Sequence, residues 1–356
     1  MVQSIHGQMP EHSDYAIHRL SDKHRYYADE RKLWWSKELG RWMCVDPMLI
    51  KSILADDDFR VMSYSVDKIT ERLGIDLDHV KQLLRYFPLA QEGEAHKSIR
   101  KRHAIAIAEK SDQALQDFRN SFEQKLAELA SGSERTVDLL NGLLKPALQQ
   151  FFATLSGIEK TYLNGSDSIS QILDETLGLP KRVAINEKIQ SLLESLPPEM
   201  SLDEKYFRIS IVALGTDSML GTLSQSLVTV LKRYPAGSPA EMHWDEELPA
   251  TGVPVIERWL SADKTIGGTS MQAGQRIRLY LDAAGYDHAE APAYSALYFG
   301  SGSHLCLGMP VGKKLWKLIT ALFQTFNKKL TMIEANYREH DNVFNLYDTI
   351  KVKINE

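Results

Sequence analysis

The residues best suited to chemistry lie in one short stretch, Phe299 to Gly308, FGSGSHLCLG. It contains Cys306, one of 2 cysteines in a chain of 356 residues. The glycines at 300, 302 and 308 permit close approach of the backbone to a flat ligand. A helical pattern starts near Met309 and runs to about Asn327. The spacing therefore delivers a sulfur at a helix N-terminus, where the positive end of the macrodipole favours a thiolate. A lone loop cysteine is more often a small buried hydrophobe. A thiolate held by a glycine-rich loop instead suits an axial ligand to iron.

Other candidates are scattered along the chain. His96 and Arg100 are four apart in HKSIR and share one face of a helix running to about Lys110. On composition alone this is a solvated basic helix start. Asp217 and Ser218 follow Gly215 in the middle of a long apolar helix, Leu202 to Lys232. They break local propensity, and a buried aspartate is costly unless paired or wet. The plain alternative is a solvent-facing turn. Arg258 opens RWLSADKTIGGTSMQAGQRI, whose alternation and glycine turns predict strands.

The elements that must position these residues are mostly helical. Residues 13–32 read as a surface helix, and 33–45 as a β-hairpin turning at Leu39-Gly40. Asp46 is a good N-cap for a helix from Pro47 to Leu54. Apolar spacing predicts core helices over 112–131 and 136–156, and shorter ones around 169–177 and 183–196. Leu330–Ile333 and Thr349–Ile354 read as closing strands.

Composition sets the outer bounds. The chain is 43% hydrophobic and 25% charged with a net charge of −5, ordinary for a globular protein and no sign of a nucleic-acid binder. No apolar run approaches the ~20 residues that span a bilayer. The start, MVQSIHGQMPEHSDY, has neither the apolar core nor the basic beginning of a signal peptide. Two cysteines argue against a disulfide framework. The expectation is a single domain over 1–356 in the cytoplasm, without a membrane anchor.

The loop resembles the heme-binding signature of the cytochrome P-450 superfamily: Phe, two residues, Gly, one, His or Arg, one, Cys, one, Gly. Phe299, Gly302, His304, Cys306 and Gly308 match without exception. The resemblance implies a mainly α fold with small β-sheets, a triangular helical domain around a buried heme b (iron protoporphyrin IX). It implies Cys306 as iron ligand, Phe299 packed under the ring, and His304, His96, Arg100 and Arg258 at the propionates. It also implies that Leu214 to Ser218 form the segment of the central helix beside the heme. Asp217 and Ser218 are then the acid and alcohol that steer protons, with Leu214 in place of a small residue and Ser218 in place of threonine. Two parts depart from the family. Its Glu-x-x-Arg helix should lie near 236–254, but Glu246 is followed by Pro249 at the arginine position, and Glu247 by Ala250. The run from 282 to 298 is about a dozen residues shorter than usual.

The implied activity is a heme-thiolate monooxygenase acting on a small hydrophobic or biosynthetic substrate. Lys101, Arg102, Lys313, Lys314 and Lys317 fall on the cysteine side in the resemblance. They imply an acidic ferredoxin-type partner. A peroxide-driven or redox-neutral heme-thiolate enzyme is one alternative. A non-catalytic heme-binding scaffold is the other, favoured by the lost Glu-x-x-Arg.

Overall fold

The computed structural model describes residues 33–37, 39–62, 74–131, 135–163, 169–174, 177–234, 236–282, 295–338 and 343–355. The expected helix at 13–32 and most of the 282–298 run lie outside the described residues. The chain begins with the hairpin β1 (Leu33–Ser36) and β2 (Arg41–Cys44), then α1 (Pro47–Leu54) and β3 (Phe59–Val61). Asp46 caps α1 by accepting from the Leu49 amide at 2.9 Å, with proline in the first turn. Next come α2 (Asp78–Leu84), α3 (Gly93–Ala130), β4 (Arg135–Asp138) and α4 (Lys145–Ser156). After α5 (Leu179–Ser195) and α6 (Leu202–Arg233) the chain forms β5 (Ala236–Gly237), β6 (Val255–Leu260), β7 (Lys264–Ile266), β8 (Thr269–Met271) and β9 (Arg276–Tyr280). It closes with α7 (Met309–Gln324), β10 (Lys329–Tyr337) and β11 (Tyr347–Asn355).

Two expectations change. The stretches 96–110 and 112–131 are one 38-residue helix, α3. No proline interrupts it, and its buried stripe continues through Ala114, Phe118, Phe122 and Leu126. Its outer face is laced by pairs four apart, such as Arg119 with Glu123 at 2.7 Å. The stretch 136–156 is not helical from its start. Residues 135–138 instead join β11 as β4, and a π-turn at Leu140–Leu144 leads into α4. Asp138 directs this switch, since its Oδ1 accepts from the amides of Leu140 at 3.0 Å and Ile350 at 3.1 Å.

Five strands form one sheet in the order β1-β2-β9-β6-β3, with β2 and β9 parallel. A second sheet runs β4-β11-β10-β5, and β7 pairs with β8. The main core lies between α3, α4, α6 and α7, where Phe118, Phe122, Phe151 and Phe323 are fully buried. A separate apolar cluster joins α2 and α5 to the first half of α6. α6 is 32 residues long, with Ser201 as its cap, Asp203 and Glu204 in its first turn and Lys232 and Arg233 in its last.

The 239–248 segment, where a Glu-x-x-Arg helix was sought, contains only a single 3₁₀ turn at Pro239–Glu241. An aromatic clamp fills the place. The Trp244 ring stacks on Phe323 at 5.3 Å and meets Trp316 edge-on at 6.0 Å. Its Nε1 donates to Pro239 O, and the Trp316 Nε1 donates to Asp245 O, each at 2.9 Å. Trp316 and Phe323 belong to α7, so the clamp holds the helix that follows Cys306. Trp244→Ala is expected to destabilise the protein by about 3–5 kcal/mol, the usual cost of emptying a buried tryptophan site. The measurement is the urea midpoint. A shift worth under ~1 kcal/mol would show that the clamp does not brace α7.

Candidate active site

The cysteine loop is shaped by local backbone demands. Gly302 has φ 67°, and a Cβ there would lie 2.3 Å from the carbonyl oxygen of Leu54. Only glycine lets the loop dock on the end of α1. The loop then closes on itself, with the Cys306 amide donating to Phe299 O at 2.9 Å. The Cys306 side chain lies deep within the fold, yet it is accessible because it opens on an internal cavity of about 430 Å³. Burial pushes its thiol up. The amides of Gly308 and Met309 and the Arg100 charge act the other way. A bound metal ion would displace the thiol proton altogether. Cys44 has no such setting. It is fully buried, and burial pushes it up to about 12, which leaves it chemically inert.

α6 also lines the cavity, through Leu214, Gly215 and Ser218. The space freed by Gly215 is taken by the Phe152 ring, since a Cβ at 215 would lie 2.3 Å from Phe152 Cε1. Ser218 faces the cavity and spends its hydroxyl on Leu214 O at 2.8 Å. Asp217 faces the other way. It is buried and its Oδ2 accepts from Ser170 Oγ at 2.6 Å. The acid and the alcohol are therefore neighbours in sequence on different sides of α6, one held by the 169–173 segment and one on the cavity.

Basic groups gather at one edge of the cavity. Arg100 comes from α3, Arg258 from β6 and His304 from the loop, and all three line it. His96 packs on His304 with ring centroids 4.1 Å apart. Burial, and then the charges of Arg258, His96 and Arg100, push His304 down to about 3. The acid near this group is Glu92, 3.8 Å from His304 Nε2. Its Oε1 already accepts from the Val61 amide at 2.7 Å. His96 Nε2 is buried and has no hydrogen-bond partner among the described residues. Such a cluster suits an anionic guest, and two propionates supply the charge it calls for.

Heme b fits the site on three counts. The cluster and the orphaned imidazole nitrogen would hold the propionates. Gly308 and Phe299 border the cavity beside the sulfur. No three His, Cys, Asp or Glu side chains come together as a metal cage among the described residues. Cys306 is then a single protein donor, as for a metal carried in a macrocycle. Seven of the nine residues singled out in the sequence line this cavity; His96 instead packs on His304, and Asp217 turns to Ser170. Sequence reasoning missed Ser170, Phe152 and the trio Arg41, Glu257 and Arg278 on the cavity wall. None belongs to a motif, so packing alone reveals them.

The positive patch is weaker than its residue types suggest. Arg102 pairs with Asp203 and Glu204, each at 2.7 Å. Lys313 pairs with Glu247 at 2.6 Å and Lys314 with Asp112 at 3.4 Å. Lys101 and Lys317 are exposed.

Comparison with known proteins points to one fold. No protein-family model matches the chain. The cytochrome P-450 monooxygenase DoxA of Streptomyces peucetius subsp. caesius is 22% identical over 327 residues, covering 76% of this chain and 75% of that protein. Among solved structures, P450BioI in complex with an acyl carrier protein ligated to hexadec-9Z-enoic acid superposes with a TM-score of 0.75 at 16% identity. The match covers 96% of this chain and 99% of that one. Epothilone B-bound cytochrome P450epoK gives a TM-score of 0.73 at 15% identity, with 96% and 98% coverage. Among the described residues no helix is long and apolar enough to cross a membrane. The chain thus has the fold of these cytochromes P-450, together with a cysteine loop of matching sequence and a cavity suited to heme b.

Proposed function

We propose that residues 1–356 form a single cytoplasmic heme domain, a monooxygenase that oxidises a small hydrophobic or biosynthetic substrate with O2 and electrons from a partner protein. The observation that carries this reading is the cavity itself, which Cys306, Ser218, Arg100, Arg258 and His304 all line. When bound, the heme supplies redox chemistry and activation of dioxygen, with the thiolate donating electron density. Cys306 would hold it, Arg100 and Arg258 would neutralise its carboxylates, and His304 and His96 would donate hydrogen bonds to them. Phe152 and Leu214 narrow the space beside α6 and limit how much water and substrate share it. Asp217 would pass protons from the Ser170 side towards the cavity through water rather than directly, since its side chain and that of Ser218 lie on different sides of α6.

The test is O2 consumption and product formation by the heme-loaded protein with a surrogate ferredoxin and reductase. Oxidation that requires both electrons and O2 supports the reading. Product formed at equal rate from hydrogen peroxide alone would favour the peroxide-driven alternative, to which the ion-paired state of Arg102, Lys313 and Lys314 lends some support.

An acidic ferredoxin-type partner would dock by charge on the cysteine side. Its reduction rate is expected to fall as salt rises, because exposed charges are screened beyond ~8 Å at physiological ionic strength. Lys101 and Lys317, changed together to Gln, should slow reduction more than Lys313 and Lys314, which already have partners. A second-order rate indifferent to salt and to both pairs of changes would remove this docking site.

A further inference from the structure

The cavity has a second charged region, on the sheet rather than beside the cysteine loop. Arg41 on β2, Glu257 on β6 and Arg278 on β9 come from three adjacent strands and all line the cavity. Arg41 Nη1 donates to Glu257 Oε1, and Arg278 Nε donates to the same oxygen at 2.7 Å. Their side chains are only 17%, 13% and 14% exposed. Glu257 is held below the usual carboxylate range: burial raises it, but the two guanidinium groups outweigh burial.

Arg41 shares its carboxylate with a second arginine, and it is pinned through Nε to Leu39 O at 3.2 Å. A planar guanidinium held in this way is preorganised to grip another carboxylate. Much of the remaining wall is apolar, with Met62, Leu89, Leu214, Val253 and Val255. The lining thus offers an apolar space with two guanidinium groups, Arg41 and Arg278, beside those that suit the heme carboxylates.

We propose that the substrate is an amphipathic carboxylate, its anionic group held by Arg41 and its apolar body lying in the cavity. This rests on the reading of the cavity as the site of a heme-thiolate enzyme. Glu257 then has a sign-specific role, since it competes with the substrate for the same guanidinium groups. A purely structural triad that ties three strands together would show no such competition.

The experiment uses the heme-loaded full chain, with decanoate and methyl decanoate as probes and calorimetry as readout. Decanoate should bind at least tenfold more tightly than its ester. Arg41→Gln should weaken decanoate by roughly ten- to hundredfold, the range for a lost charge-assisted hydrogen bond, and leave the ester unchanged. Glu257→Gln should tighten decanoate. Equal binding of acid and ester, or equal loss of both in Arg41→Gln, would overturn the proposal, as would Glu257→Gln that weakens the acid. If Arg41→Gln does not fold, the acid-to-ester ratio in the unaltered protein decides alone. The reduced, carbon-monoxide-bound spectrum of the same sample separates the two readings. A thiolate band with no acid preference rejects the carboxylate site and leaves the heme assignment standing, whereas a missing thiolate band rejects the heme assignment itself.

Discussion

Cys306→Ala is expected to abolish the absorption band of the reduced, carbon-monoxide-bound protein at its thiolate-ligated position. The sulfur of Cys306 opens on the cavity and takes the amides of Gly308 and Met309. The other cysteine does not share this setting, because Cys44 is fully buried on β2. The substitution removes an atom that faces a cavity, so it leaves little new void in the core. Folding stability without heme should change by less than about 1 kcal/mol. Heme retention should fall much further, because a bonded donor is lost. Cys44→Ala should behave in the opposite way: spectrum unchanged, and stability lowered by roughly 1 kcal/mol for the cavity left in the sheet core. A Cys306→Ala protein with the thiolate band intact would refute the assignment.

Asp217→Asn is expected to slow oxygen-dependent turnover by about 10²–10⁴-fold, the usual contribution of a positioned proton-transfer group. Asparagine keeps the shape and can still accept from Ser170 Oγ through its amide oxygen, so the 2.6 Å contact has a replacement. The change thus removes the acid without loosening the 169–173 segment, and substrate affinity should move little. Ser218→Ala strips the hydroxyl that faces the cavity. Its expected effect is poorer coupling of electrons to product rather than weaker binding. The measurement is product formed per O2 consumed, taken beside substrate affinity. Full turnover and full coupling in Asp217→Asn would mean that protons reach the cavity by another route.

The contrast between Cys306 and Asp217 shows what one dimension can carry. The cysteine loop is a local device: its glycines, its sulfur and the following helix are contiguous, and each makes its demand over one or two residues. The hairpin at 33–44, the capped α1 and the long α6 are local in the same sense, set by turn residues, caps and apolar period. The residue types that gather around the cavity edge were therefore legible as His96, Arg100, Arg258 and His304, with the resemblance supplying their common purpose.

Other features depend on which distant elements meet. The union of two expected helices into α3 follows from the apolar stripe through Phe118 and Phe122, which buries against α4 and α7. The residues 135–138 became a strand because β11 offers them hydrogen-bond partners, and strand pairing is decided across the fold. The 239–248 segment holds no helix because Trp244 finds Trp316 and Phe323 on α7.

The sequence by itself determined that one sulfur stands in a glycine-rich loop before a helix and that an acid and an alcohol interrupt a long apolar helix. Only the tertiary structure decided where those two side chains look, Asp217 to Ser170 and Ser218 to the cavity. It also decided that Lys313 and Lys314, read as part of a free basic patch, are spent on carboxylates, and that Arg41 and Arg278 converge on one oxygen atom of Glu257. Charge pairing between residues 21 to 216 positions apart leaves no mark on local spacing, because it depends on distance in the folded chain.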